Sequence, residues 1–136
     1  MSLRFDWVTI DCRNPLDVAR FWEQALPVYE IEVDESEGDD PDEVMLLPAD
    51  KRGPKILFGK VEDDHKVGKN RLHFDLRPET DRDAEVARLE SLGAKKIDIG
   101  QGDVSWTVMA DVEGNEFCVL RALTDEEKKK WAKWSW

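Results

Sequence analysis

Ala110-Asp111-Val112-Glu113-Gly114-Asn115-Glu116-Phe117-Cys118-Val119-Leu120 reads as a tight turn feeding a strand. Asp111 and Gly114 are turn residues, and the run from Glu116 has the apolar, β-forming composition of a strand. The same frame stands earlier in the chain, where Ala49-Asp50-Lys51-Arg52-Gly53 precedes the strand-like run 55–61. A second echo agrees with the first: Val18-Ala19-Arg20 recurs as Val86-Ala87-Arg88. Either match alone is weak. Both, in the same order inside the same succession of elements, indicate a duplicated unit.

Working outward, each half spells strand, helix and three strands. In the first half, 5–12 is a strand, and Asn14-Pro15 opens a helix over 15–26, with Asn14 as its cap. Strands follow at 28–33, 44–47 and 55–61, with an acidic, solvated loop at 34–43. After a polar connector, the second half predicts a strand at 71–77, a helix over 81–92 ended by Gly93, and strands at 95–99, 105–110 and 116–121. In the strand 71–77, Leu72, Phe74 and Leu76 alternate with His73 and Asp75, which places the two sets on opposite faces. Thr124 and Glu127 form a capping-box pattern for a short terminal helix. Trp131, Trp134 and Trp136 follow, for packing on the domain's own body or on a second subunit. The expectation is an α+β domain over 1–123, with module one at 1–62, module two at 70–122 and a helical tail at 124–136. Its mixed sheet curves into a cup, with the helices on the outer face.

Composition narrows the partners. The 136 residues carry a formal net charge of −11, with 40% apolar and 38% charged residues. Such a surface repels phosphate backbones and anionic lipid, so neither nucleic acid nor a membrane is expected as a partner. No apolar run is long enough to span a bilayer, and the first residues lack the apolar stretch of a signal peptide. Cys12 and Cys118 lack metal-pair spacing and read as reduced thiols of a cytoplasmic protein, a single disulfide being the alternative.

On Asp6-Trp7-Val8-Thr9-Ile10-Asp11, Ala19-Arg20-Phe21-Trp22, Asn70-Arg71-Leu72-His73-Phe74-Asp75-Leu76 and the 110–120 stretch, the chain resembles a glyoxalase-like domain of the vicinal oxygen chelate superfamily. That superfamily also holds bleomycin-resistance proteins and extradiol dioxygenases. The resemblance implies two βαβββ modules around a small-molecule site, and a homodimer. In metal-binding members it implies a ligand on the first and last strand of each module, here Trp7, Leu57, His73 and Cys118. The usual set is His, His or Gln, and Glu. Trp7 and Leu57 cannot ligate, so the resemblance implies a lost metal site and no cofactor.

Two function classes follow. One is a binder of a small aromatic or apolar molecule, with Trp7, Leu57, His73, Asp75, Trp106, Glu116 and Cys118 lining the site. The other is a metal-independent lyase, isomerase or hydrolase using His73 and Glu116 as acid and base. Each residue also has a structural reading: His73 hydrogen-bonded within the sheet to Asp75 or a neighbour, Glu116 in a rim salt bridge with Arg71 as a candidate partner, Cys118 and the tryptophans as core. Asp11, Asp75 and Arg77 are charges at the cavity edge or in solvent, and His65 has no assigned role. A metal-dependent lyase or dioxygenase with an altered site is the weakest option, because of Trp7 and Leu57.

Overall fold

A computed structural model describes residue 3, residues 5–62 and residues 66–132. His65, Trp134 and Trp136 lie outside the described residues. The chain divides into two compact units, Met1–Gly68 with Asp111–Gly114, and Lys69–Ala110 with Asn115–Trp136.

The first unit contains β1 (Trp7–Cys12), α1 (Pro15–Ala25), β2 (Tyr29–Glu32), β3 (Glu43–Pro48) and β4 (Lys55–Lys60). The second contains β5 (Phe74–Leu76), α2 (Arg82–Ser91), β6 (Lys95–Lys96), β7 (Thr107–Ala110), β8 (Glu116–Val119) and the terminal α3 (Asp125–Trp131). The α+β class and the two βαβββ modules are as expected. The strands form two four-stranded sheets, ordered β1-β4-β3-β2 and β5-β8-β7-β6, rather than one curved mixed sheet. In both, the first strand of the module runs parallel to the last and the remaining pairs are antiparallel. The duplication therefore extends to strand order and direction.

It also extends to the turn. Asp50 Oδ1 accepts the backbone N–H of Arg52 at 2.9 Å, and Asp111 Oδ1 accepts that of Glu113 at 2.9 Å. Gly53 and Gly114 follow at φ 86° each, a conformation glycine adopts without steric cost. A Cβ on Gly53 would in addition stand 2.7 Å from the Tyr29 hydroxyl.

The core of the first unit lies between α1 and one sheet face. Val18, Phe21 and Trp22 of α1 are buried, as are Val44, Leu46, Ile56 and Phe58 of β3 and β4. The ladder sets Phe58 between Ile10 and Val44, and Ile56 between Val8 and Leu46, so these residues share a face. In the second unit, α2 contributes buried Val86 and Leu89, and β7 and β8 contribute Met109, Phe117 and Val119.

Three local expectations are corrected. The side chain of Asn14 makes no capping bond. Instead, the carboxylate of Glu113 accepts the backbone N–H groups of Arg13 and Asn14 at 2.7 and 2.9 Å. β5 is three residues, not the run 71–77, and Leu72 is 87% exposed rather than facing inward with Phe74 and Leu76. The Asn70 N–H bonds the Glu116 carboxylate instead of a ladder carbonyl, and pairing with β8 begins only at Phe74 opposite Phe117. β6 stops at Lys96 because Asp98 accepts the N–H of Gly100 at 2.7 Å, and Gly100 and Gly102 at positive φ turn the chain.

The terminal helix starts with the expected capping box between Thr124 and Glu127. Glu127 also binds the guanidinium of Arg121, at 2.7 and 2.9 Å. The Arg121 hydrogen bond, followed by the Thr124 backbone N–H, holds the Glu127 carboxyl down from 4.5 to about 2. A depressed acid contributes stability above its unfolded value, and that contribution disappears as pH falls through the folded one. The protection of the α3 amides, with the intrinsic pH dependence of exchange divided out, should therefore be steady down to pH about 4.5 and fall as pH approaches about 2. Loss of that protection already near neutral pH would contradict this attachment.

Candidate functional site

The two sheets each present one face away from their buried helix-packing residues, and the candidate residues divide between those faces. On the first sheet, Trp7 pairs with Lys55, and Leu57 lies between Thr9 and Met45. Trp7, Leu57, Met45 and Leu47 are half-buried. The Lys55 ammonium stands 4.2 Å from the centre of the Trp7 ring, a cation–π contact, and also pairs with Asp6. This face is therefore apolar around Trp7 and Leu57, with a cation at one end.

On the second sheet, Asp75 pairs with Cys118 on β8, and Cys118 pairs with Val108 on β7. His73 lies just before β5, and its Nε2 is 3.3 Å from Asp75 Oδ1. Donor atoms of His73, Asp75 and Cys118 all lie within 4.8 Å of one another. Burial pushes the Cys118 thiol above its ordinary value, and the charge and hydrogen bond of Asp75 add to this. The neutral thiol is a poor nucleophile at neutral pH. Cys12 is also a free, buried thiol, pushed up to about 12 by burial and then by Glu113 and the aspartates beside it.

Glu116 shares the face of Cys118, but its carboxylate accepts the Asn70 N–H at 3.1 Å. Among the described residues, His73 is bonded to Asp75 and not to Glu116. Trp106 lies in the bend before β7 and is exposed. The structure thus brings together His73, Asp75 and Cys118, and separately Trp7 and Leu57. The residue with the least sequence signal is Asp75 as the partner of both His73 and Cys118. Its alternation with His73 gave its face and made it one of the partners read for His73, while its contact with Cys118 had no sequence signal.

A model of the glyoxalase-like domain matches residues 7–120. The chain belongs to the glyoxalase-like domain family. With it comes the vicinal oxygen chelate superfamily, in agreement with the duplicated βαβββ frame. No curated protein matches the sequence. Among solved structures, a glyoxalase/bleomycin resistance protein/dioxygenase family enzyme from Burkholderia phytofirmans PsJN is 18% identical, covering 89% of this chain and 100% of that one, with a TM-score of 0.67. The fosfomycin resistance protein FosX from Mesorhizobium loti is 15% identical over 96% of this chain and 99% of its own, with a TM-score of 0.64. FosX from Listeria monocytogenes, in a complex with Mn(II) and 1S,2S-dihydroxypropylphosphonic acid, is 14% identical over 96% and 98%, with a TM-score of 0.61. At these identities the likeness shows the fold.

Trp7 and Leu57 offer an indole and a hydrocarbon, neither of which ligates a divalent cation. The remaining donors, His73, Asp75 and Cys118, all come from the second unit.

Proposed function

We propose that this glyoxalase-like protein binds a small aromatic or apolar molecule at a site without the family's usual metal set. The observation that supports this most is the apolar patch of Trp7, Leu57, Met45 and Leu47 where the first module would otherwise offer ligands. An indole face and aliphatic side chains favour a flat, weakly polar ligand through burial and ring stacking. On the sheet face of the second unit, we propose His73, Asp75, Glu116 and Cys118 as polar ligand contacts, with Trp106 as an aromatic one.

The test combines elemental analysis with a thermal-shift screen of aromatic metabolites. The purified protein should hold no stoichiometric Zn, Ni, Mn or Fe, and an aromatic ligand should raise its melting temperature, since a native-state ligand stabilises by mass action. About one metal ion per chain, lost in His73→Ala, would overturn the reading and put the ion on the His73–Asp75–Cys118 cluster. Light scattering on the same sample tests the homodimer we also propose.

The His73–Asp75 contact supports a second reading. An imidazole oriented by a carboxylate can serve as a general base without metal, and Glu116 would then be its partner acid. Once a ligand is in hand, His73→Ala separates the two. A binder loses affinity modestly and keeps its fold, whereas an enzyme loses turnover by roughly a hundredfold or more.

A further inference from the structure

The geometry points to a second ligand site, separate from the one proposed above: a cleft in the second unit beside α3 that takes a small carboxylate carried on an aromatic or apolar body. The cleft has a volume of about 420 Å3, within the range of small-molecule pockets. Leu120, Leu123 and Trp131 give it apolar walls, and Arg77 and Ser105 give it polar ones.

Arg77 carries the argument. It follows β5 and is half-buried. One N–H of its guanidinium goes to the backbone carbonyl of Arg121 at 2.6 Å. Among the described residues, no carboxylate lies within ion-pair distance of it. The chain has 31 acidic residues and 20 Lys and Arg, so an Arg without an acidic partner is not a product of scarce acid. Its neighbours show the contrast. Arg121 is engaged by both carboxylate oxygens of Glu127, which also neutralises the acid that lines the cleft. Arg82 pairs with Asp83 and holds the Ser105 carbonyl at 2.6 Å. Among the described residues, Arg77 alone of the three has no carboxylate within ion-pair distance of its N–H donors, and its bond to the Arg121 carbonyl holds it in place.

A carboxylate matches a guanidinium fork with two parallel bonds. The body attached to it would then lie along Leu120, Leu123 and the Trp131 indole, where a ring gains both burial and stacking. A phosphate would satisfy the fork but leave the apolar walls wet, so the aromatic acid is the better match.

Isothermal titration of the full chain with benzoate tests the site. Benzoate should bind, and Arg77→Gln should weaken it at least about tenfold, the loss of one charge-assisted bidentate contact. Circular dichroism and melting temperature verify that this variant is folded. Benzyl alcohol, with the ring but no charge, and acetate, with the charge but no ring, should both bind much more weakly than benzoate. Trp131→Ala, at the apolar wall of the cleft, should also weaken benzoate in a folded protein, which places the ring in this cleft and not on the sheet faces. No heat with benzoate up to about 10 mM, a range where even weak contacts register, would overturn the proposal. So would equal affinity in a folded Arg77→Gln variant.

Discussion

Trp22→Ala is expected to destabilise the protein by about 3–5 kcal/mol, the range for deleting a large aromatic from a packed core. Trp22 is 1% exposed and meets Phe21 edge-on, with ring centroids 5.1 Å apart. Its indole N–H also donates to Asp111 Oδ2 at 3.0 Å. Roughly 3–5 °C of melting temperature goes with each kcal/mol in a domain of this size, so a fall of roughly 10–25 °C should be read by calorimetry. Two milder changes isolate the polar part. Trp22→Phe keeps most of the ring but deletes the donor. Asp111→Ala deletes the acceptor and leaves a buried N–H without it, at about 1–3 kcal/mol. Combined, the two should cost about 1 kcal/mol or more less than their sum, because the second change removes an interaction already lost. Strict additivity would mean that the Trp22–Asp111 bond contributes nothing.

That bond explains why the 110–120 stretch was the most legible part of the sequence. Asp111 does several tasks at once. It folds its own turn through the Glu113 N–H, and it accepts the Trp22 indole. Glu113 meanwhile takes the backbone N–H groups at Arg13 and Asn14. A turn whose side chains are committed in this way leaves a distinctive pattern, and the frame of Asp50 and Gly53 repeats its local half. The tertiary half left no local sign. Asn14 before Pro15 is a good helix opening by composition, yet the acceptor comes from Glu113, about a hundred residues on. Strand lengths were misread for a related reason. Alternation at Leu72, Phe74 and Leu76 is a strand signal, but a strand also needs a ladder partner, and β8 has none to offer before residue 74. Of the candidate site, face membership was readable because alternation fixes it: Asp75 and Cys118 are cross-strand partners. Of the bonds, only His73–Asp75 was among those read, as one option for His73; the others depend on rotamers and on which neighbour claims each carboxylate first. Asn70 claims Glu116, and His73 claims Asp75.

Phe117 and Cys118, adjacent on β8, should separate stability from binding. Phe117 is 1% exposed and sits between Phe74 on β5 and Met109 on β7. Phe117→Ala removes a whole ring from that face and should cost about 3–5 kcal/mol. Cys118 is nearly as buried, at 7%, but it points to the opposite face, beside Asp75 and Val108. Cys118→Ala removes a single sulfur and its bond to Asp75, so about 1 kcal/mol is expected from the lost contact and the small void. The ordering reverses for a ligand held on the His73–Asp75–Cys118 face. There, Cys118→Ala should change affinity in a folded protein, while any Phe117→Ala effect should follow the folded fraction. Denaturant unfolding read alongside ligand titration of both variants decides it. Equal destabilisation by the two would mean that β8 does not present these residues to different environments, and the assignment of Cys118 to the site face would fall. Unequal destabilisation with unchanged affinity in Cys118→Ala would leave the fold reading intact and remove Cys118 from the ligand's contacts.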